Sequence, residues 1–142
     1  MTKFSWTTLF ILVMVALVAL AGCGGAQPAQ QAAVADVSSL PVDINAQTVD
    51  SLRNRDDVVI LDVREDYEYA EGHIPGAVLL PLGQIPNRLA EIPKDKTVIA
   101  VCRSGNRSNQ ATQFLRQQGF DNVHNMTGGM NSWSSAGYQV EK

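Results

Sequence analysis

The sequence predicts a single α/β domain: a parallel sheet with helices packed on both of its faces. Three observations carry this. Between residues 41 and 142, short apolar β-type runs alternate with segments of helical periodicity, the order that builds parallel βαβ units. Two of the runs, VVIL at 58–61 and VIAV at 98–101, are apolar without interruption, as strands covered by helices on both sides must be. Roughly 100 residues suffice for one domain of this kind and not for two.

The first segment stands outside this fold. Lys3 is the only charge before Asp36, and residues 9–21 are apolar throughout. That run is short for a membrane span, which needs about 20 residues, and suits the apolar region of a signal peptide. It ends in Leu20, Ala21, Gly22 and Cys23, a quartet that resembles the bacterial lipobox. The resemblance implies a lipoprotein signal peptide at 1–22, acylation of Cys23, and an extracytoplasmic domain lipid-anchored to a bacterial membrane. An uncleaved anchor helix starting near Phe4 is the alternative, and it too tethers the domain outside the cytoplasm. Residues 24–35 have no charge and no aromatic side chain, so 23–40 is expected to be a flexible tether.

The domain itself, 41–142, reads as follows. Residues 41–44 form a short edge strand. Asn45 caps a helix over 46–54 with Val49 and Leu52 turned inward. The strand at 58–61 leads into Asp62, Val63, Arg64 and Glu65, then into one short helix at 66–71. Residues 72–77 turn, and 78–80 form a strand. Residues 82–92 are expected to be mostly helical, with Pro86 near the start or breaking the helix. After the strand at 98–101 comes Cys102, then a loop, then a helix over 108–118 stopped by Gly119. A last strand is expected at 121–126. Gly128 and Gly129 turn the chain into a short helix containing Trp133.

The chemistry concentrates at Cys102. It sits at the carboxyl end of a central strand and before a helix N-terminus, where ligands of parallel sheets bind. The loop, Arg103, Ser104, Gly105, Asn106 and Arg107, can aim several backbone amides at one spot, which favours an anion. Gly105 lets it curl without a Cβ penalty. Two arginines and a helix N-terminus should make this thiol lose its proton more easily than a free one. If Cys23 carries lipid, Cys102 has no disulfide partner in the chain, so it is either reactive or buried as packing.

Other chemistries find no support. The chain carries a net charge of −3 and no basic run, so nucleic acid is not an expected partner. Its two histidines and two cysteines are scattered without metal-ligand spacing. No Gly-rich nucleotide loop occurs.

Four motifs, LDVRE (61–65), EGHIPGA (71–77), VCRSGNRS (101–108) and GGMNSW (128–133), occur in the order and spacing of a single-domain rhodanese. The resemblance covers about residues 42–140. It implies a five-stranded parallel sheet and a thiosulfate sulfurtransferase type of enzyme, working without a cofactor and as a monomer. Cys102 matches the catalytic residue, which would take sulfane sulfur from a small anionic donor such as thiosulfate. The resulting persulfide would pass its sulfur to cyanide or a thiol. Substrate contacts are expected from Arg103, Ser104, Gly105, Asn106, Arg107 and Ser108, with the amides of 103–108 holding the anionic persulfide. Arg103 and Arg107 either bind the donor and lower the thiol pKa or form surface ion pairs. Ser104 and Ser108 either donate to the pocket anion or steady the loop. Arg64 lies beside the loop in the family, and either reaches the pocket or pairs with Asp62 or Glu65. Asp62 is expected to be a structural carboxylate, His73 part of the turn scaffold, and Trp133 core or pocket wall. His124, in a strand without a motif, is assigned no role.

Two other chemistries could use such a loop. Cysteine phosphatases also cradle anions on a Cys–Arg loop, but with C-x5-R spacing; Cys102 to Arg107 is C-x4-R, a smaller cradle. A persulfide or sulfide carrier, or a sensing domain docking to a membrane partner, would load one sulfur without turnover.

Overall fold

The two uninterrupted apolar runs form the middle of the structure. The computed structural model describes residues 36–142. The expected signal peptide, the lipidated Cys23 and the tether up to residue 35 lie outside the described residues. Residues 36–40, expected in the tether, hold a 3₁₀ turn at Val37–Ser39 capped by Asp36, and Val37 and Leu40 rest against the core. Among the described residues, no helix is long and apolar enough to cross a membrane.

Strands β1 (Asp43–Ile44), β2 (Val58–Asp62), β3 (Val78–Leu79), β4 (Thr97–Val101) and β5 (Val123–Met126) form one five-stranded sheet in the order β1-β5-β4-β2-β3. All pairings are parallel. The central strand β4 is buried at every position, as its unbroken apolar sequence requires. Side chains alternate across the sheet, and the core therefore has two halves. On one face Ile60, Ile99 and Val101 meet Val49 and Leu52 of helix α1 (Ala46–Leu52) and Met130 and Trp133 of helix α4 (Gly129–Ser135). On the other, Leu61, Val98 and Val123 meet Ala111 and Leu115 of helix α3 (Asn106–Gln117). Each fully buried aliphatic side chain contributes about 1.5–3 kcal/mol. The remaining helix, α2 (Asp66–Glu71), follows β2.

Local chemistry sets the boundaries. Asn45 Oδ1 accepts from Thr48 N at 2.9 Å, the expected cap of α1, worth about 1 kcal/mol. The region 82–92 is not one helix: it is two 3₁₀ segments, Leu82–Asn87 and Leu89–Glu91. Pro86 lies inside the first; it has no N–H, and in an α-helix its ring would meet the carbonyl four residues back. The chain takes tighter bonds instead, such as Arg88 N to Ile85 O at 3.1 Å. Helix α3 begins two residues before the expected Ser108, because Gly105 adopts φ 96° and turns the chain directly into it.

Candidate active site

Cys102 follows the last residue of β4 and is only 1% exposed. Its side chain faces the α3 half of the core. The turn Arg103, Ser104, Gly105 brings the chain back over the sulfur. Gly105 N donates to Cys102 Sγ at 3.1 Å. Ser108 Oγ, from the first turn of α3, lies 3.4 Å from the same sulfur. Burial pushes the thiol up. The Ser108 hydroxyl and the backbone amides of Ser108, Ser104 and Gly105 together outweigh it, so the thiol lies below its ordinary value. Donors directed at the charged form act in this way. The reactive form of such a site is a thiolate, which can attack an electrophilic sulfur or hold an anionic one.

The cradle is clamped from behind by the GGMNSW segment. Met130 N donates to Cys102 O at 2.8 Å, and Asn131 N to Arg103 O at 3.0 Å. With their carbonyls drawn outward, the loop peptides direct their N–H groups toward the sulfur. The contact requires glycine at 129: a Cβ there would lie 2.2 Å from the Cys102 carbonyl oxygen, and φ is 55°. Trp133 is fully buried in the core, with Nε1 donating to Gln139 O at 2.8 Å.

The arginines do not share one role. Arg107 is bound through both terminal nitrogens to Glu68 of α2, each at 2.7 Å. Arg64 is buried, with Nη2 2.6 Å from Asp62 Oδ2 and 2.9 Å from Gly72 O. It makes the expected pairing with Asp62, tying LDVRE to the start of the GHIPGA turn, and it also borders a cleft beside Arg103. Arg103 is exposed and forms no salt bridge among the described residues. It stands between two clefts. One, of about 530 Å³, is lined by Arg64, Glu71, Met130 and Asn131 among others. The second, of about 360 Å³, is lined by Tyr67, Ser104, Asn106 and Arg107 among others. The thiol is lowered chiefly by hydroxyl and amide donors, and the Arg107 charge also interacts favourably with the ionised sulfur. Ser104 and Asn106 are exposed at the rim, whereas Gly105 and Ser108 are buried against the sulfur.

The remaining candidates are scaffold. Asp62 accepts from Arg64 N at 3.1 Å as well as from its guanidinium. His73 Nδ1 lies 3.0 Å from Tyr69 O and Nε2 3.0 Å from Glu141 Oε1, with its ring stacked on Tyr69. His124 Nδ1 lies 2.8 Å from Pro41 O; it borders a cleft of about 440 Å³ beside Thr97, at the end of β4 remote from Cys102.

Sequence reasoning missed Glu68 and Asn125. Glu68 is held well below the usual carboxylate range, at about 2, chiefly by its hydrogen bonds from Arg107. Its one visible signal was the capping-box spacing with Glu65, which says nothing of Arg107. Asn125 Oδ1 accepts from Ser108 Oγ at 2.7 Å; a polar residue in a fully buried strand was the available hint.

Comparison with known proteins agrees with this geometry. The profile of the rhodanese-like domain matches residues 45–136. A sulfurtransferase of Allochromatium vinosum is 45% identical over 89 residues, which span 63% of this chain and 83% of that protein. The thiosulfate sulfurtransferase GlpE of Pseudoalteromonas translucida is 40% identical, over 64% of this chain and 86% of its own. The crystal structure of a rhodanese-related protein from Thermoplasma volcanium superposes with a TM-score of 0.65 at 33% identity, covering 71% of this chain and 98% of that one. With Cys102 at the head of its anion cradle and the profile matched from Asn45 to Ala136, the chain belongs to the rhodanese-like domain family.

Proposed function

We propose that the protein is a sulfurtransferase that moves sulfane sulfur from a small anionic donor such as thiosulfate to cyanide or a thiol. The observation that carries this is the Cys102 sulfur held by the Gly105 amide at 3.1 Å and faced by Ser108. The Cys102 thiolate attacks the outer sulfur of thiosulfate. The new Sγ–S bond forms as the bond to the oxidised sulfur breaks, and sulfite leaves with the electron pair. Cys102 then carries an anionic persulfide, which the loop amides stabilise as they did the thiolate. Attack by cyanide on the outer sulfur releases thiocyanate, and attack by a thiolate releases a new persulfide; either restores the Cys102 thiolate. Arg103, without a carboxylate partner among the described residues, meets the donor's charge. The names of the Allochromatium and Pseudoalteromonas relatives support the same chemistry.

We also place the domain outside the cytoplasm, held to a bacterial membrane by lipid on Cys23, on the order of Lys3, apolar run and LAGC quartet. Steady thiocyanate production from thiosulfate and cyanide, abolished in Cys102→Ser, tests the enzyme. A single loading event without turnover would indicate a carrier, and hydrolysis of an aryl phosphate would indicate a phosphatase.

A further inference from the structure

Behind Ser108 runs a line of polar groups, from buried Asn125 to exposed Asp43, that the proposed reaction does not use. Ser108 is fully buried and Asn125 is 4% exposed. Asn125 Nδ2 donates to Asp43 Oδ1 at 2.7 Å. A carboxylate only accepts, so this bond orients the amide and turns Asn125 Oδ1 toward Ser108. Ser108 Oγ has one hydrogen and three acceptors around it: Asn125 Oδ1 at 2.7 Å, Gly105 O at 3.1 Å and Cys102 Sγ at 3.4 Å.

We propose that Asn125, oriented by Asp43, is a positioning residue that competes with the Cys102 sulfur for the single hydroxyl hydrogen of Ser108. While the hydroxyl donates to Asn125, its lone pairs face the sulfur and suit a thiol, which donates its own S–H. When the sulfur is anionic, the hydroxyl turns its hydrogen to it, and Asn125 Oδ1 loses its donor. The buried acceptor left bare opposes ionisation, so the pair Asp43–Asn125 keeps the sulfur less acidic and more nucleophilic than the loop amides alone would make it. The other charges near the loop are Arg103, Arg107 with Glu68, and Arg64 with Asp62; a change at Asn125 alters none of them. The proposal rests on Cys102 as the reacting atom.

The test is the rate of Cys102 alkylation by iodoacetamide against pH in the full chain, read on the Cys102 peptide by mass spectrometry so that Cys23 does not contribute. Asn125→Leu removes the competing acceptor at similar volume. The ionisation midpoint is expected to fall by about half a unit to one unit. An unchanged or raised midpoint in the folded variant overturns the proposal. Asp43→Asn gives an independent reading at an exposed residue, because an asparagine there can donate and no longer holds the Asn125 amide in one orientation. It is expected to lower the midpoint when Ser108 is present and to leave it in place in a Ser108→Ala chain. An equal shift in both backgrounds means that Asp43 acts through its charge alone, and no shift in either means that no competition exists; both results overturn the proposal. Alkylation needs no sulfur donor, so this outcome is separable from a failure of sulfur transfer.

Discussion

Glu68 and Arg107 lock the helix after β2 to the helix after the cysteine loop: each terminal guanidinium nitrogen donates to one carboxylate oxygen at 2.7 Å. The carboxylate is buried and the guanidinium partly so. This pair fixes the start of α3, and with it the amides and the hydroxyl that face Cys102. Glu68→Gln keeps the shape and removes the charge. Unfolding in urea should show a loss of about 1.5–3 kcal/mol, the range for hydrogen bonds to charged groups. An unchanged midpoint would show that the pair contributes nothing to the fold.

The same pair predicts an acid limb. The ordinary pKa of Glu68 is 4.5 and its folded value is about 2. A depressed folded value means that the stabilisation is fully present above the ordinary pKa and lost as pH falls through the interval toward about 2. Stability measured between pH 5 and about 2 should therefore fall more steeply in the wild type than in Glu68→Gln. Parallel curves would contradict the assignment.

Gly129 is the packing point of the cradle. A methyl group there meets the Cys102 carbonyl at 2.2 Å in a left-handed backbone, whereas at Gly119, with φ 85°, it meets open space. Gly119→Ala should cost only the conformational strain, about 1–2 kcal/mol. Gly129→Ala should cost more and should slow Cys102 alkylation at neutral pH in the fraction that folds. Equal effects of the two substitutions on stability and reactivity would remove Gly129 from the site's construction.

Two arginines separate binding from folding. Arg103→Ala should leave the urea midpoint within about 0.5 kcal/mol of wild type and raise the KM for thiosulfate several-fold, with a weaker salt dependence. Arg64→Ala leaves Asp62 buried without its partner, and should cost about 3–5 kcal/mol of stability. If Arg64→Ala instead folds normally and raises the KM, Arg64 belongs to the donor site.

Much of the fold was legible because it rests on local pattern. The runs at β2 and β4 can only be strands covered on both sides, and Asn45 announced α1. Residues 82–92 misled because Leu82, Ile85, Leu89 and Ile92 fall at helical spacing, while Pro86 forbids the bonds that spacing implies. The cysteine and its loop were legible as a site, since an apolar strand running into CRSGNR has few other uses. What sequence could not supply were long-range pairings. Arg107 finds Glu68 across 39 residues, and Ser108 finds Asn125 across 17. Both partners come from elements whose approach only the fold decides, so sequence could offer an ion pair for Arg107 without naming Glu68 as its partner.

The most direct test of the account is the mass of the Cys102 peptide after the full chain has been treated with thiosulfate and digested without reductant. One added sulfur, about 32 Da, is expected, released by cyanide and absent in Cys102→Ser. A wild-type peptide that stays unmodified with thiosulfate, polysulfide and protein persulfide donors alike would contradict it.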